Sequence, residues 1–142
     1  MLAKQLSVFV ENRQGRLKEV LKVLSDNKIN IFSMSLADTT EYGVLRLIVD
    51  DYDLGKNKLT ANGFTTMLSE VVIINIEHKP GTLQKLLDLI SKSGGNVEYM
   101  YGLSSQDTSA NVVLKFSDNE LAERIFRENG VKTISVEEAV RG

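Results

Sequence analysis

The pattern of hydrophobic and polar residues along the chain occurs twice. Two segments place apolar residues at the i, i+3, i+4, i+7 spacing of one helix face. These residues are Leu17, Val20, Leu21 and Leu24 and, 66 positions later, Leu83, Leu86, Leu87 and Ile90. Nearer the end of each copy the offset becomes 67, since Asn62-Gly63 returns as Asn129-Gly130. The chain therefore contains two copies of one structural unit.

Apolar and β-branched runs flank each predicted helix and indicate strands. The predicted strands are 5–10, 29–36, 44–49 and 64–68 in the first copy, and 71–76, 96–103, 111–116 and 131–136 in the second. With the helices, each copy reads β-α-β-β-α-β. We predict an α+β fold of two ferredoxin-like repeats, each an antiparallel sheet with both helices on one face. The expected domains are residues 1–69 and 70–142, joined by Ser69-Glu70, with the second strand of each at a sheet edge.

The second helix has a clearer signal in the second copy than in the first. Residues 117–120 have the Ser-x-x-Glu spacing of a capping box, which predicts that Ser117 caps the helix that Asn129-Gly130 ends. In the first copy, residues 54–62 hold few apolar side chains and a glycine, so a shorter helix is expected.

Met34 and Met100, in the second strands, are expected in the core.

Composition excludes several classes of function. The chain has 142 residues, 42% of them hydrophobic, and a formal net charge of −2, whereas nucleic-acid binding usually requires a basic face. Because it has no cysteine, it has no disulfide and no thiolate chemistry. No apolar run reaches the length of a membrane span, and the first residues lack the apolar core of a signal peptide. We therefore expect a cytoplasmic protein that binds neither membrane nor nucleic acid.

A polar loop joins the first strand to the first helix in each copy and carries the candidate chemistry. Gly15 and Gly81 precede the two helices, and Pro80 pre-sets the second turn. Unpaired N–H groups at a helix N-terminus and the positive end of the helix dipole attract a carboxylate, while an asparagine such as Asn12 both donates and accepts. Taken alone, each glycine is better explained as a turn residue, and Asn30 and Asn96 are equally well explained as turn caps or as partners of buried backbone. Their repetition in register favours a site for a zwitterion.

Residues 6–17, the Asn30-Ile31 pair after the helix, and the matching set around 78–81 and Asn96-Val97 resemble the ACT domain. The resemblance implies an amino-acid-binding regulatory module, usually attached to metabolic enzymes, whose copies pair side by side and hold ligand at their junction. The first copy is also similar to the regulatory subunit of acetolactate synthase in its Glu-Asn-x-x-Gly loop. Where the family often has proline, this chain has Gln14, so the two sites need not be equivalent.

The resemblance implies ligand contacts from these loops and from the start of the second strands. In the first copy they are Asn12, Arg13, Gln14, Gly15, Arg16, Leu17, Asn30 and Ile31, and in the second His78, Lys79, Pro80, Gly81, Thr82, Leu83, Asn96 and Val97. No catalytic residue, metal ligand or cofactor is expected. His78 has two open interpretations, loop packing and ligand contact. Tyr99 and Tyr101 form either simple packing or an aromatic wall on an edge strand.

Three functions follow from these features. The first is a sensor of two ACT domains that binds a small amino acid and acts through self-association or on a metabolic enzyme; its alternative form is the regulatory subunit of an amino-acid biosynthetic enzyme such as acetolactate synthase. The second, catalysis, is disfavoured because the sequence has no nucleophile set, phosphate-cradling glycine motif or carboxylate pair with metal spacing. The third is a ligand-free module that dimerises through sheet edges. A homodimer or larger even assembly is expected in the first and third cases.

Overall fold

A computed structural model describes residues 2–38, 41–105 and 108–141 of the chain. The described residues form two compact units. The first unit is Lys4–Ser69, and the second runs from Glu70 towards the C-terminus and includes Ala3 near the start of the chain. Both units combine antiparallel strands with helices.

The first unit follows the order strand, helix, strand, strand, helix, strand. Its elements are β1 (Ala3–Glu11), α1 (Arg16–Asp26), β2 (Ile31–Asp38), β3 (Tyr42–Val49), α2 (Tyr52–Ala61) and the first part of β4 (Thr65–Glu77). The strand order is β2-β3-β1-β4, and both β1 and β2 pair antiparallel with β3. The prediction that the second strand lies at a sheet edge is confirmed for β2.

The second unit begins with the rest of β4. It continues with α3 (Thr82–Lys92), β5 (Val97–Ser105), β6 (Ser109–Phe116), α4 (Asn119–Glu128) and α5 (Val136–Val140). The strand order is β4-β6-β5, again antiparallel, so β5 occupies the edge position that β2 has in the first unit.

Each unit has its own core between one sheet face and its two long helices. In the first, Leu6 and Val8 of β1 pack with Leu47 of β3 and Leu24 of α1. In the second, Phe116 of β6 meets Phe126 of α4 edge to face, with ring centroids 5.7 Å apart, inside an otherwise aliphatic core. The predicted α+β fold of two ferredoxin-like repeats is therefore confirmed, with six strands among the described residues in place of the eight expected.

The predicted strand at 131–136 is wrong. The segment forms only an isolated bridge between Thr133 and Ile74, and α5 then starts at Val136. The physical reason is a capping box: Ser135 accepts from the Glu138 backbone N–H at 3.1 Å, while the Glu138 carboxylate accepts from the Ser135 backbone N–H at 3.3 Å. These bonds satisfy donors that helix formation exposes, and they turn the chain out of the sheet.

The expected connection Ser69-Glu70 is not a loop. Both residues lie inside β4, which runs for 13 residues without a break and contains neither glycine nor proline. The two strands predicted on either side of this pair are thus one strand.

Two predictions about the second helices are also wrong. Helix α2 has ten residues, the same length as α4, and the glycine that weakens its sequence signal is buried. A Cβ on Gly55 would meet Leu6 Cδ2 at 3.1 Å, so glycine lets the helix approach the sheet closely. At α4 the N-cap is Asp118 rather than Ser117: its carboxylate accepts from the Leu121 N–H at 3.0 Å, and Asp51 caps α2 in the same way.

Met34 and Met100 are not core residues. Their exposed fractions are 44% and 41%. Both lie on edge strands, β2 and β5, where no further strand of the same unit covers them.

Candidate functional site

Gly15 and Gly81 form the N-caps of α1 and α3 with nearly identical left-handed backbones, at φ of +87° and +86°. Neither helix has a side chain that caps its first turn, whereas Asp51, Asp118 and Ser135 cap the other three. The first-turn N–H groups of α1 and α3 thus lack the side-chain acceptor that stabilises the other helix starts.

A pocket of about 170 Å³ lies beside the first of these loops. It is lined by Val10, Glu11, Asn12, Arg13, Leu17, Leu36, Asp38 and Gly43. This volume is below the roughly 300–1,000 Å³ of pockets for drug-sized ligands, so it suits a ligand the size of a single amino acid. The Asn12 backbone N–H donates to the Glu41 carbonyl at 2.9 Å, which attaches the loop to the residue directly before β3.

The pocket presents charges of both signs. Glu11 and Asp38 supply carboxylates, and the Arg13 guanidinium supplies a positive charge. Arg13 Nε lies 3.0 Å from Glu11 Oε2, and both side chains are more than half exposed, so this ion pair contributes little to stability and can exchange for a ligand. Leu17 and Leu36 add an apolar wall.

Five of the lining residues were not predicted as ligand contacts. Val10 and Glu11 are the last two residues of β1, directly before the loop. Leu36, Asp38 and Gly43 come from β2 and β3, and they reach the loop because β1 and β2 both pair with β3. Their signal is the strand register: Glu11 faces Tyr42, and Asp38 faces Gly43. A sequence reading without that register has no reason to select them.

Asn30 and Ile31 lie elsewhere in the same unit. They line a different hollow, of about 420 Å³, with Leu21, Ser25, Lys28 and Ile29. Asn30 is held by Asp50, whose side chain accepts from the Asn30 backbone N–H at 3.0 Å and whose backbone N–H donates to the Asn30 carbonyl at 3.2 Å. Since Asn12 is at the Tyr42 end of β3 and Asn30 beyond its Val49 end, about eight strand residues, or roughly 25 Å, separate them.

Other residues of the first loop also differ in position. Gln14 is exposed in the turn before Gly15. Arg16 turns away to Phe64, with its guanidinium carbon 4.2 Å from the ring centroid, and forms an ion pair with Glu19. Arg16 is therefore not among the residues that line the 170 Å³ pocket, although it was predicted to contact ligand.

The second loop repeats this backbone with different side chains. The His78 backbone N–H donates to the Thr108 carbonyl at 3.1 Å, and Pro80 leads into Gly81. Lys79 Nζ lies 2.7 Å from Glu77 Oε2. This hydrogen bond and the positive charge of Lys79 lower the pKa of the Glu77 carboxyl, and the same bond and the negative charge of Glu77 raise the pKa of Lys79.

The remaining predicted residues of the second copy are divided between two places. Thr82 begins α3 and, with Lys79, lines a pocket of about 410 Å³, and the half-buried Leu83 follows it in the helix. The Asn96 side chain donates to Ser117 Oγ at 3.1 Å, and Val97 pairs with Phe116 at the opposite end of β6 from His78. Loop and asparagine are thus separated in the second unit as in the first.

Two further properties bear on chemistry. Across the described parts of the chain, no group of three or more His, Cys, Asp or Glu residues is placed to hold a metal ion. None of the helices within those same ranges has both the length and the apolar character needed to cross a bilayer.

Comparison with known proteins places the fold and the loops in one class, the regulatory modules called ACT domains. The family model for an ACT domain pair matches residues 1–140. The chain therefore belongs to the ACT domain pair family. No protein with a curated description matches it.

Solved structures agree with this assignment. The crystal structure of protein BT0572 from Bacteroides thetaiotaomicron is 37% identical, has a TM-score of 0.89, and is similar over 94% of this chain and 92% of that one. The ligand-free regulatory subunit of aspartate kinase from Thermus thermophilus is 15% identical with a TM-score of 0.62, over 88% and 91% of the two chains. The corresponding subunit from Thermus flavus is 14% identical with a TM-score of 0.62, over 88% and 90%. The two kinase subunits share the fold.

Proposed function

We propose that this protein is an amino-acid sensor that regulates a partner through its two ACT domains. The observation that carries the proposal is the 170 Å³ pocket. It lies beside the first turn of α1, which has no side-chain cap, and its lining includes the carboxylates of Glu11 on β1 and Asp38 on β2. A free amino acid has a carboxylate and an ammonium group a few bonds apart, and this pocket offers a complement to each.

The chemistry of recognition follows from the positions of the charges. The ligand carboxylate lies against the first-turn N–H groups of α1 and the Arg13 guanidinium. The ammonium group lies towards Asp38 and Glu11, since a buried ammonium needs acceptors. The side chain of the ligand meets Leu17 and Leu36, which favours a small apolar residue over a long or charged one.

Regulation requires that the ligand distinguish two states of the assembly. The pocket lies beside β2, an edge strand, so a second chain that pairs with this edge would complete the site. A ligand held at such a junction would stabilise the paired state by its differential affinity. The Thermus structures with this fold are regulatory subunits of aspartate kinase, which supports a metabolic enzyme as the alternative partner.

Calorimetric titration with each of the twenty amino acids tests the proposal. At 100 times its dissociation constant, a true ligand raises the free energy of unfolding by about 2.7 kcal/mol, which thermal unfolding detects. Asn12 also lines the pocket, and its side chain donates a further hydrogen bond to the ligand carboxylate, so Asn12→Ala should weaken binding by about tenfold, the effect of one hydrogen bond to a charged group. The matched control is Asn62→Ala, a surface asparagine that bonds to the Lys58 carbonyl and does not line the pocket.

Two results would refute the sensor. One is the absence of binding by every amino acid up to millimolar concentration. The other is equal loss of binding in the two asparagine variants, since a change remote from the pocket would then matter as much as one in it.

A second candidate function is assembly without a ligand, through the edges of β2 and β5. The exposed Met34 and Leu36 on β2 and Met100 on β5 favour it, because large apolar side chains beside unpaired strand edges promote strand addition.

A further inference from the structure

Two residues that contact each other in the first unit are replaced by smaller residues at the equivalent positions of the second. Arg16 and Phe64 correspond to Thr82 and Val131 in the second copy. In the first unit the guanidinium lies 4.2 Å from the ring centroid, and the Arg16 side chain is only 15% exposed. The pair thus fills the space between the start of α1 and the residue directly before β4.

In the second unit the smaller residues line an open pocket. Thr82 and Val131 both belong to the wall of the 410 Å³ pocket described above. The Thr82 hydroxyl is buried and has no hydrogen-bond partner in the described structure. A buried hydroxyl without a partner is destabilising unless something binds there.

The lining of this pocket is strongly cationic. Lys79, Lys85 and Lys132 oppose a single carboxylate, that of Glu77. Lys79 pairs with Glu77 at 2.7 Å, and Lys132 lies 3.8 Å from Glu138, a longer and weaker contact. Both pairs are largely exposed and contribute little, so the lysines can turn to an anion. The start of α3, which has no side-chain cap, adds to the positive potential.

The same pocket has an apolar side. Ile76, Leu86 and Val131 are half-buried and form part of the wall. A bare inorganic ion leaves this surface unused, whereas an organic anion with a short carbon chain covers it.

We propose that the second unit binds a small organic dianion of the dicarboxylate class in the pocket between α3 and the Gly130–Lys132 segment. Lys85 and Lys132 neutralise its charges, the Thr82 hydroxyl donates to one carboxylate, and the apolar side holds the carbon chain. This site needs no ammonium group on its ligand, and it does not depend on the amino-acid pocket of the first unit.

Titration of the full chain with succinate, followed by calorimetry and by amide NMR shifts, tests this inference. Succinate should shift the amides of residues 76–86 and 130–132 and leave those at Asn12 and Arg13 unchanged. Lys85→Met should weaken binding by about tenfold or more, as expected for loss of a charge-assisted hydrogen bond. Lys92→Met, at the other end of α3 and outside the pocket, is the matched control.

A second variant fills the pocket with the residues of the first copy. Thr82→Arg with Val131→Phe should abolish succinate binding while circular dichroism reports an unchanged fold, because that pair packs well in the first unit. If this variant misfolds, the Lys85→Met comparison still decides. The proposal is overturned if succinate does not bind at millimolar concentration, if Lys85→Met and Lys92→Met bind equally, or if inorganic phosphate binds and succinate does not.

Discussion

Gly15 and Gly81 hold the same left-handed backbone at equivalent points of the chain, with φ of +87° and +86°. A Cβ at either position would meet no atom within 4 Å. The requirement for glycine at these two helix starts is therefore one of backbone conformation and not of space.

Alanine at either glycine should destabilise its unit for that reason. We expect Gly15→Ala and Gly81→Ala each to lower the free energy of unfolding by about 1 kcal/mol, the left-handed cost less the reduced freedom of the unfolded chain. Urea denaturation measures the change. Gly102→Ala is the control: its Cβ also meets no atom within 4 Å, but its backbone is not left-handed, so it should cost less. Equal effects at all three positions would contradict this account.

The cap of α4 offers a second prediction. Asp118→Ala should cost about 1 kcal/mol, because the Leu121 N–H loses its acceptor at a helix N-terminus. Ser117→Ala should cost less, since Ser117 only accepts an exposed hydrogen bond from Asn96. Denaturant midpoints of the two variants compare them directly. A larger loss of unfolding free energy in Ser117→Ala than in Asp118→Ala would show that Ser117, the residue predicted from the sequence, is the cap.

The Glu77–Lys79 pair predicts a pH dependence. Because the pKa of Glu77 is lowered in the folded state, its stabilising contribution is present above the ordinary value of 4.5 and is lost as pH falls through the folded pKa. The pKa of Lys79 is raised, so its contribution is present below 10.5 and is lost at higher pH. When the carboxyl carbon shift of Glu77 is followed against pH, the midpoint of its titration should lie below pH 4.5. Lys79→Met should raise that midpoint, whereas Lys92→Met should leave it unchanged. The effect on stability is small, because both groups are exposed.

Self-association through the sheet edges is testable with a charge. If copies pair through β2, Met34→Glu should convert an assembly of at least twice the 15.8 kDa chain mass to a monomer, since a buried carboxylate without a partner is costly. Light scattering measures the mass. Met67→Glu is the control, because Met67 is 50% exposed on β4 rather than on an edge strand. A monomeric wild-type protein at micromolar concentration, with and without amino acid, would rule out self-association.

Much of the fold was predictable because its determinants are local. The apolar spacing around Leu17 and Leu83 predicts α1 and α3, whose C-caps are Asn27 and Ser93. Side-chain period and turn residues act within a few positions, so a linear reading detects them. The repeat adds a long-range fact to these local ones: two copies of one pattern in register indicate two copies of one fold.

The tertiary structure decided what depends on contacts between distant segments. Gly55 weakens the sequence signal of α2, yet the helix has ten residues, and the missing Cβ leaves room for Leu6. Competition between two structures decided the C-terminal segment: the capping box at Ser135 favours a helix, where the apolar pattern of 131–136 predicts a strand.

The candidate sites follow the same division. By itself the sequence determined the two loops before α1 and α3, because a glycine at a helix start is a local signal. Only the tertiary structure brought Leu36 and Asp38 to the first loop, placed Asn30 at the far end of β3, and filled one copy with Arg16 over Phe64 while leaving the other open. Strand register and side-chain packing join residues far apart in the chain, and no short-range pattern records which of them meet.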